Sequence, residues 1–363
     1  MEQHINFWDR LQAKVITPYF DNKLWEMTLE SNSISKEKFE TNLTNLDFFY
    51  PNLESSGLTK GGLSFLKDNF SSYRFKGENV WLDPDFGWVI PSPLKIFKYS
   101  FPYSEDPWDQ MKRRPRTLKY LNKKSNTRVI EKGASFRFGW QNYYHFFMDG
   151  LTQLNALDAF DPKGEIPIIL PDHYHKNRFA KDFFSKIFPN NREIIVQSSK
   201  EYLFVKKLYL LKEDILSCSL DQVIDQIRPS AKLVDDKKIF ITRNSFSGRT
   251  IRNINEIMPI LKDFGFEVVD CNEMGLLEQA NLFSSASHVA GIHGAGLVNT
   301  IFKKGGNLKV LEIAPGLDFQ PEHYKNICKK FGFEHRMIFG KNLDFQTNFI
   351  LDPQELSNLL RDF

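Results

Sequence analysis

The sequence predicts an α/β protein in which two parallel-sheet domains follow one another. Three observations predict it. Strand-like and helix-like stretches alternate cleanly from about residue 237 to the end, a second such series occupies about 126 to 230, and 363 residues exceed what one core usually covers. Strand, helix and strand at this spacing make βαβ units, whose sheets are parallel and covered on both faces.

Taken in order, residues 1–110 are irregular, aromatic and punctuated by proline, with "VWLDPDFGWVIP" reading as a hairpin that turns on Asp83-Pro84-Asp85-Phe86-Gly87. In the middle series "TRVIEKGASFRF" is strand-like, "NYYHFFMDGLTQLNALDAF" a long amphipathic helix, "IPIILP" a strand, "NRFAKDFFSKIF" a helix and "EIIVQS" a strand. The joint falls in "RPSAKLVDDKK", a proline followed by a charge run. It sets a first domain at 1–230, Rossmann-like over 126–230, and a second, also Rossmann-like, at 231–363.

The second domain opens with "KIFIT" as a buried strand, "INEIMPILKDFG" as a helix closed by Gly265, and "FEVVDC" as a strand. In "LLEQANLFSSA", Leu276, Leu277, Ala280, Phe283 and Ala286 share one helical face. "HVAGI" is a strand, "GAGLVNTIF" a helix, "LKVLEI" a strand and "YKNICKKFG" a helix. A last helix, "DPQELSNLLRDF", opens at Asp352-Pro353 and is a candidate to pack back on the first domain. Pro259 should start its helix late or kink it.

Composition excludes several classes. A formal charge of +3 is far from the concentrated basic face of a duplex binder, so nucleic acid is not an expected partner. The cysteines, Cys218, Cys271 and Cys328, are far apart and in no C-x-x-C pairing, which suggests neither a disulfide framework nor a zinc site. "MEQHINFWDRLQ" mixes charges into each turn and lacks the apolar core of a signal peptide or membrane span. A soluble, cytoplasmic protein is expected, with peripheral membrane contact through basic and aromatic residues left open.

The first chemical signal is "GIHGAGL", a strand end running into a helix, where ligands bind in open parallel sheets. Gly294 and Gly296 admit close approach of a ligand to backbone, and the first-turn N–H groups favour an anion such as phosphate. His293 would donate to phosphate or to a sugar hydroxyl. The same glycines equally serve tight strand–helix packing, and the histidine an ordinary core role.

A helix terminus offers an anion only roughly 0.3–1 kcal/mol. A diphosphate leaving group needs a metal held by carboxylates or fixed protein cations. In "TRNSFSGRTIRN", Arg243, Arg249 and Arg252 follow the strand that opens the same domain. A guanidinium about 4 Å from phosphate contributes roughly 4 kcal/mol at an effective dielectric near 20, before desolvation, so arginine can stand in for a metal. The alternative is a solvated charged loop. Asp83-Pro84-Asp85 reads better as a turn than as a metal ligand set, and His173 with His175 as a loop. No obligatory metal or other cofactor is expected.

The second signal is "NYYHFFMDG", where His145 and Asp149, four apart on a helix, share a face. A carboxylate there fixes the imidazole tautomer and raises its basicity, the arrangement of a general base with an orienter. An ordinary helix-stabilising pair has the same spacing.

"NYYHFFMD", "ITRNSFSGRTIRNINE", "EQANLFSSASHVAGIHGAGLVNTIF" and "VLEIAP", in that order, resemble glycosyltransferase family 61 over about residues 126 to 315. The resemblance implies a GT-B-like architecture, two Rossmann-like domains facing a cleft with the donor in the C-terminal one. It also implies inverting, metal-independent transfer of a sugar from a nucleotide diphosphate donor, commonly a UDP-sugar, to a glycan acceptor. Carried over, Arg243 and Arg252 contact the phosphates, with Arg249 in the same set, and His293, Gly294, Ala295 and Gly296 form the diphosphate cradle. Glu256 orients the arginines and Glu312 is a candidate for the ribose. His145 and Asp149 activate the acceptor, with Asn142, Tyr143 and Tyr144 on the acceptor side. Phe146 replaces the family's usual tryptophan, and no transmembrane anchor of the secretory members is seen. A bacterial or viral enzyme of surface or capsular polysaccharide synthesis, acting on a glycan that can be lipid-linked, is the expectation. Its rivals are transfer of a pyruvyl or phosphate group on the same scaffold, and a non-catalytic nucleotide- or carbohydrate-binding protein.

Overall fold

Apolar runs of four to seven residues alternating with amphipathic helices dictate layers of helix on sheet, and the computed structural model has them. It describes residues 26–28, 34–38, 73–92, 95–97, 100, 127–137, 142–188, 192–212, 220–229, 236–243, 249–305, 307–316, 322–344 and 348–363. The readings of "MEQHINFWDRLQ", most of 1–110, Cys218 and most of the joint lie outside the described residues. The chain divides into two compact units, residues 1–181 with 188–220, and residues 182–187 with 221–363.

The first unit holds β1 (Glu26–Thr28), β2 (Ile34–Lys38), β3 (Tyr73–Leu82), β4 (Val89–Ile90), β5 (Lys95–Phe97), β6 (Thr127–Ser135), β7 (Ile168–Pro171), β8 (Ile194–Gln197) and β9 (Tyr202–Lys212). β1 pairs with β5, and the rest form one sheet in the order β2-β3-β9-β6-β7-β8, with β4 on β3. β9, β6, β7 and β8 run parallel, as expected of a Rossmann-like unit, but β3 is antiparallel to β9 and β2 to β3, so the sheet is mixed. Sequence periodicity does not reveal β9, because Lys206-Lys207 interrupt its apolar alternation; in place, Val205, Leu208 and Leu210 are buried and both lysines exposed. Val80, Leu82, Val89, Phe97, Ile169, Leu203, Val205, Leu208 and Leu210 form one core. The D-P-D-F-G hairpin is present: Leu82 pairs with Val89, and Asp83 Oδ2 accepts from the N–H of Phe86 at 2.6 Å and of Gly87 at 3.2 Å.

The second unit holds β10 (Lys237–Ile241), β11 (Glu267–Val269), β12 (Ala286–Ile292), β13 (Lys309–Ala314), β14 (Glu334–Phe339), β15 (Lys341–Asn342) and β16 (Phe349–Ile350). Five strands make an all-parallel sheet in the order β11-β10-β12-β13-β14. β12 and β13 are buried over most of their lengths, as strands covered on both faces must be. Helices Ile254–Asp263 and Pro353–Arg361 cover one face, closing a core of Phe240, Ile257, Leu261, Ala290, Leu311, Ile313, Leu356 and Leu360. Each such large apolar side chain contributes about 1.5–3 kcal/mol on burial. The last helix thus packs within its own unit. Asp352 caps it by accepting from the N–H of Gln354 and Glu355, with Pro353 in the first turn.

Three local readings need correction. "GAGLVNTIF" forms a 3-10 helix, Ala295–Phe302, rather than an α-helix. The helix containing Pro259 does not start late; it begins at Ile254, and both Pro259 and Asn255 are exposed, so water meets the carbonyl that proline leaves without a donor. The long helix after β6 is interrupted: an α-helical turn, Tyr143–His145, leads into a π-helix, Phe146–Leu151, and then an α-helix, Thr152–Phe160. Finally, β14 is not legible in "EHRMIF", whose charges suit the sheet edge it occupies.

Candidate functional site

The strand order of the second unit, numbered within that unit, is 2-1-3-4-5, so the order reverses between β10 and β12. At such a reversal the two following connections leave in opposite directions and open a crevice at the carboxyl ends of the strands. Arg243 follows β10 there and His293 follows β12. Arg243 Nη1 donates to the His293 carbonyl at 3.0 Å, and the Tyr324 hydroxyl donates to the Gly294 carbonyl at 2.6 Å. The first bond of the 3-10 helix runs from Leu297 N–H to the Gly294 carbonyl, so the N–H groups of Ala295 and Gly296 lie ahead of its ladder.

Gly294 has extended backbone, open to any residue, and is needed for space: a Cβ would lie 2.3 Å from Arg243 Nη1. At Gly296 a Cβ would lie 3.0 Å from Ile241 Cγ2. Burial, and then the charge of Arg249, pull the Arg243 guanidinium down to about 10. Burial also lowers Arg249, which adopts a left-handed φ of 54° despite its side chain. Two like charges held close together and half-buried favour an anion beside them.

The segment after Arg249 is fixed by the carboxyl-terminal strand pair. Phe349 N–H donates to the Thr250 carbonyl, Arg252 N–H donates to the Phe349 carbonyl, and the Asn253 side chain holds both polar groups of Leu351. Arg252 itself is exposed. Glu256 is exposed in the first helical turn with Asn253 Nδ2 at 3.4 Å, and among the described residues it meets no arginine, contrary to the orienting role expected of it. Glu312 differs from its expected surroundings too. It is 0% exposed, and its two carboxylate oxygens meet His293 Nδ1 and His335 Nε2 rather than opening to a ribose. Burial raises its carboxyl, but the two imidazole hydrogen bonds and charges outweigh that and hold it below the usual range. His335 is absent from the sequence reading, since nothing local marks an edge-strand histidine as a partner of a residue 23 positions away.

In the first unit, His145 Nδ1 and Asp149 Oδ2 are 2.5 Å apart, both part-buried. Asn142 Oδ1 accepts from Tyr144 N–H and caps the turn that carries the histidine. The wide π-helical turn follows, and Thr152 Oγ1 donates to two of its carbonyls, Met148 at 3.3 Å and Asp149 at 3.1 Å. Gln153, 4% exposed, donates from Nε2 to the carbonyls of Asp149 and Arg137, tying this segment to the carboxyl end of β6. That amide is a second residue sequence reasoning missed, although an amide inside an apolar helical face is a signal. Tyr143 packs edge-on against Phe147 and Phe179, and Tyr144 edge-on against His145. Phe146 is fully buried against Phe136 and Phe179.

Other features matter less. Asp83 is buried and bonded within its turn, with the Tyr202 hydroxyl at 3.3 Å. Cys271 and Cys328 are free thiols, both pushed up to about 12 by burial. Among the described residues, no group of three or more His, Cys, Asp or Glu is arranged to hold a metal ion, and no helix is long and apolar enough to cross a membrane.

Two comparisons bear on this geometry. The family model Glycosyltransferase 61 matches residues 143–310, from Tyr143 beside His145 to the start of β13. Alpha-1,3-arabinosyltransferase XAT2 of Oryza sativa subsp. japonica is 30% identical over 128 residues, which are 32% of this chain and 19% of the rice protein. The matched stretch thus spans about a fifth of that relative's length.

Proposed function

We propose that the chain, whose residues 143–310 match Glycosyltransferase 61, is a glycosyltransferase that moves a sugar from a nucleoside diphosphate donor to a glycan acceptor. The observation that carries the reading is the pair of guanidinium groups and the glycine turn gathered where the strand order of the second unit reverses. The chemistry suits a diphosphate. Arg243, Arg249 and Arg252, with His293 and the N–H groups of Ala295 and Gly296, receive the negative charge that develops on the leaving group. Because these cations belong to the chain, the transfer we propose needs no metal.

In the first unit, the His145–Asp149 pair takes the proton from the acceptor hydroxyl, which attacks the anomeric carbon opposite the leaving phosphate and inverts it. Tyr144, against the imidazole, and Asn142 are the acceptor-side groups nearest that proton transfer. Tyr143 acts through packing. Glu312 holds His293 rather than a ribose. The family's GT-B arrangement of two domains facing a cleft is the architecture this reading requires. The acceptor we assign is a glycan of the kind built into surface polysaccharide, with UDP-sugars as donors, the sugar being a hexose or a pentose; the rice relative's name puts a pentose among those to be tried.

The test is a thermal-shift screen against UDP-, GDP-, CMP- and dTDP-sugars with and without chelator, followed by product analysis of the donors that bind. A UDP-sugar should raise the midpoint equally in both conditions, since a ligand bound only to the folded state stabilises it. Stabilisation that vanishes with chelator would remove the metal-free mechanism, and no stabilisation by any of these donors would remove the nucleotide reading.

A further inference from the structure

His293, Glu312 and His335 lie in a row across one face of the second unit's sheet. His335 is paired with Val310, so side chains alternating along β13 place Glu312 on the same face. His293 N–H donates to the Ile313 carbonyl, which sets its ring beside Glu312. The carboxylate is completely buried, with His335 Nε2 at 2.8 Å from Oε2 and both imidazoles mostly covered.

At a pH where both imidazoles are neutral and each donates to Glu312, the row carries one negative charge in the core. Such a charge is costly to bury, and one added proton cancels it. His293 Nδ1 is engaged by Glu312, so a proton added to that ring goes to Nε2 and turns an acceptor into a donor. Among the described residues, the titratable and charged groups that face His293 include Arg243, bonded to its carbonyl, Arg249 beside Arg243, and His323 and Tyr324 from the helix His323–Phe331. Cys328 of that helix faces Glu312. The guanidinium charges oppose the proton in the empty site, and a bound diphosphate reverses that balance.

We propose that this row takes up a proton as a nucleoside diphosphate binds, that the proton resides on His293 Nε2, and that His335 is the positioning residue that keeps Glu312 ionised for it. The inference rests on the nucleotide reading above. The low carboxyl of Glu312, held down against its own burial by the two histidines, fits the role assigned to it.

Calorimetric titration with UDP at about pH 8, in two buffers of different ionisation enthalpy, counts the protons. UDP's own phosphate is fully ionised there, its second ionisation lying near ~6. The count should lie between about half and one proton per UDP, and Kd should rise towards tenfold per pH unit above neutrality. Glu312→Gln should bring the count near zero. His335→Gln, whose amide still donates to Glu312, should keep it, whereas His335→Ala should lower it and weaken UDP at least about threefold. His323→Asn should leave the count unchanged. UDP bound by the unmodified protein with no net proton uptake overturns the proposal without need of any variant; so does uptake that survives Glu312→Gln, or His335→Ala matching His335→Gln. If neither UDP nor GDP binds, the nucleotide reading falls and takes this proposal with it.

Discussion

At the scale of single residues, the proposed chemistry rests on two glycines and a few polar side chains. Gly294 is the sharper case, because the atom its Cβ would strike is the tip of a long side chain that can swing away. Gly294→Ala should therefore leave unfolding free energy within about 1 kcal/mol while displacing Arg243, and weaken UDP binding about tenfold, the loss of one charge-assisted hydrogen bond. Combining it with Arg243→Ala should cost little more than either change alone, because both remove the same contact; additive losses would show that the glycine acts otherwise. His145→Ala should spare UDP binding and lower kcat about a hundredfold or more, as loss of a general base does. Transfer at a near-normal rate would remove His145 from that role. The sequence made these residues visible because each signal is local: an imidazole four positions from a carboxylate, and arginines just past a strand. Gln153 and His335 escaped, since their partners, Arg137 and Glu312, lie 16 and 23 positions away.

At the scale of elements, caps and turns follow local rules. The Asp83 turn carries a pH signature. Burial, and then Asp85, push its carboxyl up to about 7, above the ~3.9 of an unfolded chain. Between about pH 4 and 7 the unfolded chain gives up a proton that the fold retains, so stability falls as pH rises through that window, by at most about 4 kcal/mol. Asp83→Asn keeps an acceptor for Phe86 N–H and removes that penalty; its urea midpoint should exceed the unmodified protein's at pH 8 and not at pH 4. Gly332 closes the helix His323–Phe331 at φ 73°, with nothing within 4 Å of an added Cβ. Gly332→Ala should cost about 1 kcal/mol, all of it backbone, read from the same unfolding curves. The helices of the second unit were legible because hydrophobic periodicity and caps agree. The π-helical turn and the 3-10 helix were not: an apolar run such as "GLVNTIF" shows the same periodicity whichever ladder its backbone closes.

At the scale of the whole molecule, each unit is built on a main sheet of its own, one mixed and one of five parallel strands, and the family match runs through parts of both. UDP at about a hundredfold its Kd should stabilise the folded chain by about 2.7 kcal/mol, seen as a rise in melting temperature with ligand concentration; a midpoint that does not move would mean no such site. By itself the sequence determined the alternation of strand and helix, the capped helix ends, the glycine turn and the His145–Asp149 pair, because all of these are settled between residues a few positions apart. Only the tertiary structure decided that β10 lies beside β12, so that Arg243 meets the carbonyl of His293 fifty positions away, and that Glu312 is shared by two histidines. The physical reason is that strand order is chosen by the burial of whole faces, a sum over distant residues that no local period records.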